Sequence, residues 1–191
     1  MTWLNEAHLS IIGSLRLAVR DEGGFGDFNL TESGFWRSFS AIVILAPLYL
    51  YGHDIQGAAV LAETATTEED IIEPSMIVST IELLIQWVAW PIAMALIAKF
   101  TGLTAAYSRY ITVYNWSAIL VGVVQIIPIF LYAQGGTFAE LGSILMMISL
   151  AFAIYYRWYI AQTALKTTAT IASALVLADL VLSFGIIRFI G

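Results

Sequence analysis

Five long apolar runs, separated by short polar breaks, organise the sequence, and a segment of different pattern precedes the first. In that segment, residues 3–20, Leu4, His8, Ile11, Ile12, Leu15 and Val19 recur at helical spacing. Glu6, Ser10, Arg16 and Arg20 fall largely elsewhere on the wheel, which predicts an amphipathic helix. Gly23 and Gly24 end it. Two placements are open for this helix. It either lies at the lipid headgroups with Arg16 and Arg20 facing phosphates, which is the preferred expectation, or it packs on the rest of the chain.

The first apolar run spans about Phe35 to Gly52, with Thr31 or Ser33 as its cap and Pro47 in its last third. It is close to the minimum of roughly 17 residues that crosses hydrocarbon. A polar stretch from His53 to Ser75 follows, whose middle, Gln56 to Glu63, has the pattern of a short surface helix. The second run covers about Met76 to Ala98, the third about Tyr110 to Ala133 and the fourth about Phe138 to Tyr159. The fifth runs from Ala169 to the last residue. The expected architecture is all-α: a polytopic membrane bundle of five helices over residues 31–191, with the amphipathic segment over residues 1–30.

Composition makes the bilayer a required part of that picture. Of 191 residues, 60% are hydrophobic and 12% charged, about half the charge of a typical soluble domain. Mean hydropathy is +0.84. Too few polar groups exist to coat a water-soluble surface. The absence of cysteine removes thiolate chemistry, and His8 and His53 lack metal-ligand spacing, so neither a metal nor a cofactor is expected. Residues 1–20 lack a basic stretch followed by a continuous apolar core, which argues against a secretory leader there.

Charge placement sets the expected orientation. Arg16, Arg20, Arg37, Lys99, Arg109, Arg157 and Lys166 all fall on one side of the predicted membrane, with Arg188 toward the other. The positive-inside rule makes the crowded side cytoplasmic, giving an inner-membrane protein with its N-terminus in the cytoplasm and its C-terminus opposite. Trp36, Tyr110, Tyr155, Tyr156, Trp158 and Tyr159 cluster near that boundary and are expected, with Arg16, Arg20, Arg37 and Arg157, to face the headgroups.

Candidate chemistry is confined to polar residues stranded in the spans. Glu82 and Asp179 are the two carboxylates, and an ionised acid at mid-bilayer costs about 2.5–3.5 kcal/mol on insertion scales. No basic residue is expected at matching depth. Gln86, one turn from Glu82, with Asn115 and Gln125 of the third span, completes a candidate intramembrane polar site. Two readings stand: a proton-titrating or cation-binding site, or an interhelical hydrogen-bond clasp that fixes packing. The clasp is the more economical of the two.

Pro47, Pro91 and Pro128 lie near span ends, where a proline more often bends a helix than builds an ion site. Glu68, Glu69, Asp70 and Glu73 lack the alternating acids and central glycine of a calcium loop and read as solvated. No phosphate-binding glycine loop, nucleophile elbow, zinc-helix motif or basic nucleic-acid patch is present, so no catalytic residue is assigned and no enzyme activity is expected.

Two local patterns carry a family resemblance. Gly34-Phe35-Trp36-Arg37-Ser38-Phe39 leads into the first span; Ser108-Arg109-Tyr110 with Tyr114-Asn115-Trp116-Ser117 opens the third. With five closely connected spans behind a cytoplasmic segment, residues 30–190 resemble the Yip1-like membrane protein superfamily in its bacterial form. The resemblance implies a non-catalytic scaffold or partner-binding protein. The eukaryotic relatives are associated with small GTPases through a longer N-terminal region whose signature is missing here, so that association and its residues are not carried over.

The expected function is therefore a scaffold or accessory subunit, with a membrane-protein partner or a second copy of itself alongside the lipid bilayer. The alternative is a small proton-coupled permease using Glu82 and Asp179. A groove along the fourth-span aromatics, taking lipid or quinone, is a third option.

Overall fold

The computed structural model describes residues 2–64 and 75–190, all of its regular structure helical. The acidic residues Glu68, Glu69, Asp70 and Glu73 lie outside the described residues. Helix α1 (Trp3–Ala18) and a 3-10 turn (Glu22–Asp27) precede a short α2 (Glu32–Ser38). Five long helices follow: α3 (Ile42–Thr64), α4 (Met76–Thr101), α5 (Thr104–Tyr132), α6 (Gly136–Leu165) and α7 (Ala169–Ile190). With α2 continuing into α3, five helical segments are long and apolar enough to cross a bilayer. Leu96, Phe100, Met147, Val181 and Phe184 lie exposed around the outside of the bundle. Apolar surface on this scale is stable only against lipid. The protein is a multi-pass membrane protein.

The spans are longer than their patterns suggested. Helix α3 runs on past Gly52 through the stretch expected to be a separate surface helix. Gly52 ends nothing there: a β-carbon on it would sit 2.9 Å from Ile126 Cδ1, so it is a close-approach residue within the helix. Helix α5 starts at Thr104 instead of Tyr110, and α6 continues to Leu165 instead of Tyr159. By contrast, α4 stops at a glycine with the geometry that ends helices. Gly102 adopts φ +74°, and its N–H and that of Leu103 both return to the Ala98 carbonyl.

Helix α1 takes the second of its two expected placements. It packs on the bundle through Glu6, Ala7, Ser10, Gly13, Ser14 and Leu17, while Leu4, Leu15 and Val19 of the apolar stripe point outward. Small residues permit this approach. Tyr156 Oη donates to the Ser14 carbonyl at 2.6 Å, and Trp3 Nε1 donates to Ser40 Oγ at 2.6 Å. Glu6 is buried and takes Arg37 Nη1 on Oε2 at 3.1 Å. Arg16 closes the following hook onto Asp21 (2.7 Å) and Asp27 (2.8 Å).

The core is lopsided. Trp90, Met94, Ile111, Trp116, Tyr156 and Ile160 are almost wholly buried in the half of the bundle nearest α1. Toward the other end, fewer side chains are buried and the helices surround a cavity.

Candidate functional site: a polar cavity among the five spans

That cavity has a volume of about 540 Å³ and takes residues from all five long helices. Tyr49, His53 and Gln56 come from α3, Glu82 and Gln86 from α4, and Tyr114 and Gln125 from α5. Ser149 and Arg157 come from α6, and Asp179 and Ser183 from α7. Asp179 lies about 15 Å into α7 from its α1-side end, at the usual helical rise. The lining then extends toward the far end, reaching Ile129 and Ile187.

The floor is an ion pair. Arg157 Nη1 contacts Asp179 Oδ2, and Tyr114 Oη donates to the same carboxylate oxygen at 3.0 Å. Arg157 also donates to Tyr114 Oη, and its guanidinium carbon stands 4.8 Å from the Tyr114 ring centroid. Three spans are tied at one point. Two aromatic anchors lie close by: Trp90 Nε1 donates to Tyr110 Oη at 3.0 Å, and Tyr107 Oη donates to the Pro91 carbonyl at 3.0 Å. The expectation that no cation stands at matching depth is therefore wrong. Arg157 was read as a boundary residue because the fourth span was ended at Tyr159; with α6 reaching Leu165, the guanidinium is carried inside it.

One wall is built on Glu82. Its Oε1 accepts from Gln86 Nε2 at 2.7 Å and from Tyr49 Oη at 3.2 Å. The Tyr49 ring stacks on His53 with centroids 6.0 Å apart, and His53 Nδ1 shares a hydrogen bond with Ser79 Oγ at 3.2 Å. The two carboxylates are thus held differently: Asp179 against a fixed cation, Glu82 by neutral donors alone.

Glu82, Gln86, Gln125 and Asp179 line this one cavity, whereas Asn115 does not. Asn115 Nδ2 donates to Ser38 Oγ at 2.9 Å in the core toward α1. Tyr49, His53, Tyr114 and Arg157 were missed as site residues. Tyrosine is common at span ends, and neither Tyr49 nor Tyr114 has a sequence mark separating a cavity hydroxyl from a boundary one. The expected headgroup belt is thinner than its sequence cluster. Trp36 and Tyr155 are exposed, and Trp158 is partly so, but Tyr110, Tyr156 and Tyr159 are buried among the helices. Arg37 is engaged by Glu6.

Among the described residues, no group of three His, Asp or Glu side chains is placed to hold a metal ion. The chain matches no family model, and no similar curated protein or solved structure is found. Fold and site together define a multi-pass membrane protein with a charged, hydrogen-bonding cavity inside its membrane-spanning region.

Proposed function

We propose that this chain is a small, non-enzymatic permease that takes a polar solute into the cavity floored by Arg157 and Asp179. The observation that carries the reading is the convergence of Glu82, Gln86 and Gln125 with the Arg157–Asp179 ion pair on one space. A clasp that only fixed packing would need no cavity of about 540 Å³ beside it. The part of Arg157 that faces the cavity can exchange partners: a solute carboxylate or phosphate competes with Asp179 for the guanidinium. Glu82, held by Tyr49 and Gln86 with no cation partner among the described residues, is the group suited to carry a coupled proton.

Six of the eight basic residues lie toward the α1 end, with Arg157 inside the bundle; by the positive-inside rule this supports a cytoplasmic α1 end and an inner membrane. The cavity then extends toward the opposite side and is closed on the cytoplasmic side by Trp90, Met94, Trp116 and Tyr156. This is one half of an alternating-access cycle.

The test is a thermal-unfolding screen of purified protein against small carboxylates, phosphates and zwitterions, followed by flux of any hit into proteoliposomes. The reading expects a ligand that stabilises the wild type and not Arg157→Gln, and that crosses the bilayer only with protein present. A hit that stabilises both proteins equally and does not cross contradicts it.

A second reading, the scaffold or accessory subunit implied by the Yip1-like resemblance, has its own observation. The two stretches that carry the resemblance meet in the core, where Asn115 bonds Ser38, and the Phe35 ring lies 5.8 Å from that of Tyr107, just ahead of the second stretch. They act in packing, beside an α1 whose apolar stripe is turned outward. A stoichiometric membrane partner, lost on Leu15→Ser/Val19→Ser, would favour this reading; a solitary chain in mild detergent would count against it.

A further inference from the structure

A second cavity, of about 590 Å³, lies at the α1 end of the bundle, well away from the first. Arg20, Arg109 and Lys166 line it, with Glu22 as the one acid. We infer that it seats the phosphate of an anionic ligand, which at this depth is the headgroup of an anionic phospholipid.

Backbone conformation is the first argument. Among the described residues, Arg20 (φ +65°) and Lys166 (φ +51°) are the two non-glycine residues with positive φ. Each follows the end of a helix, α1 and α6 respectively, where glycine adopts the left-handed conformation without a β-carbon penalty. Both positions carry a cation instead, and both cations line the same cavity.

Donor supply is the second argument. Arg109 is fixed by Nε to the Ala164 carbonyl at 2.7 Å and by Nη2 to the Thr163 carbonyl at 2.6 Å, with its guanidinium over the Phe25 ring. Arg20 donates from Nε to Tyr155 Oη and lies over the Tyr155 and Tyr159 rings. Among the described residues, Arg109 Nη1, both terminal nitrogens of Arg20 and the Lys166 ammonium meet no protein acceptor. Glu22 offsets one of the three cations, and the positive charge left over around one space favours an anion between them. Guanidinium groups match phosphate oxygens in geometry.

Location selects the source. Tyr155 is exposed and Trp158 partly so beside this cavity, the ring types that favour headgroup depth, and the outward apolar belt begins there. Basic pockets between spans at such a boundary suit anionic headgroups. A purely structural role, neutralising the carbonyl ends of α1 and α6, predicts lost stability without any lipid preference.

The experiment uses full-length protein in mild detergent, with binding followed by native mass spectrometry. The probes are dioleoyl-phosphatidylglycerol, dioleoyl-phosphatidylcholine and inorganic phosphate. Wild type is compared with Arg20→Gly/Lys166→Gly, a variant that removes both cations while relieving both left-handed positions, so it is expected to fold at least as well. We expect phosphatidylglycerol to be preferred over phosphatidylcholine, and the variant to bind it about tenfold more weakly or worse. Inorganic phosphate displacing the lipid at low concentration would keep the phosphate site and assign its ligand to solution. Equal retention of both lipids by wild type, or unchanged phosphatidylglycerol binding by the variant, overturns the inference.

Discussion

Arg157 on α6 meets Asp179 on α7 in a direct ion pair at the floor of the cavity among the five spans, with Tyr114 of α5 donating to the same carboxylate. The carboxylate is almost fully buried and the guanidinium about a quarter exposed, with side-chain accessibilities of 5% and 28%. Neither charge belongs in hydrocarbon alone. Together they offset each other's desolvation and leave part of the cation facing the cavity.

The pair should therefore respond asymmetrically to substitution. Asp179→Leu alone strands a cation and is expected to cost about 3–5 kcal/mol, whereas Arg157→Met/Asp179→Leu should recover most of that loss. Thermal unfolding followed by intrinsic tryptophan fluorescence distinguishes them. A double variant as unstable as the single would mean that the pair is not what holds these spans together.

Backbone contact between α5 and α6 limits the chain at Gly142. A β-carbon there would lie 2.5 Å from Tyr132 N and 2.9 Å from the Pro128 carbonyl oxygen, neither of which can move like a side-chain tip. Gly142→Ala is expected to destabilise by about 1–3 kcal/mol. Gly185→Ala on α7, with nothing within 4 Å of the added carbon, should be neutral or slightly stabilising through helix propensity. Unfolding of the two variants side by side checks the contrast.

Tyr156 links α1 to the bundle, donating to the Ser14 carbonyl at 2.6 Å and to Ser117 Oγ at 3.2 Å. Tyr156→Phe should cost about 0.5–1.5 kcal/mol and speed proteolytic cleavage around residues 21–30 as α1 loosens. Unchanged cleavage would show that α1 is held without the Tyr156 hydroxyl.

The hook after α1 should loosen in acid. Arg16, hydrogen-bonded to Asp21, holds that carboxyl below its ordinary range, and the Gly23 N–H adds to this. The folded-state value is depressed, so the contribution is in place above the ordinary aspartate pKa. It disappears as pH falls through the lowered value. Cleavage of the hook by an acid-active protease should rise steeply there in wild type and be high already at milder pH in Arg16→Gln.

Much of this architecture was legible because the bilayer imposes long apolar helices, and five runs of the right length stand out. Their ends were read short wherever a residue that commonly marks a boundary lies inside a helix: Gly52, Arg109, Arg157 and Tyr159. The placement of α1 stayed open in the sequence because an apolar stripe beside lipid can face outward while Ser10, Gly13 and Ser14 make the close contact with the bundle. Of the site, Glu82, Gln86, Gln125 and Asp179 were legible because polar side chains are costly in apolar spans. Arg157 was not, since a cation near a span end was counted toward orientation. The partnership of Tyr49 with Glu82 depends on how α3 and α4 pack, which periodicity does not encode.

Labelling of single introduced cysteines with a membrane-impermeant maleimide tests the cavity most directly, because the chain has no cysteine of its own. Ser183→Cys and Gln125→Cys, both on the cavity wall, should react when reagent is added on the side opposite the N-terminus. Ile111→Cys, buried toward α1, should stay silent from either side. Silence at Ser183 and Gln125, or their modification only from the N-terminal side, would contradict a water-filled cavity facing away from the cytoplasm.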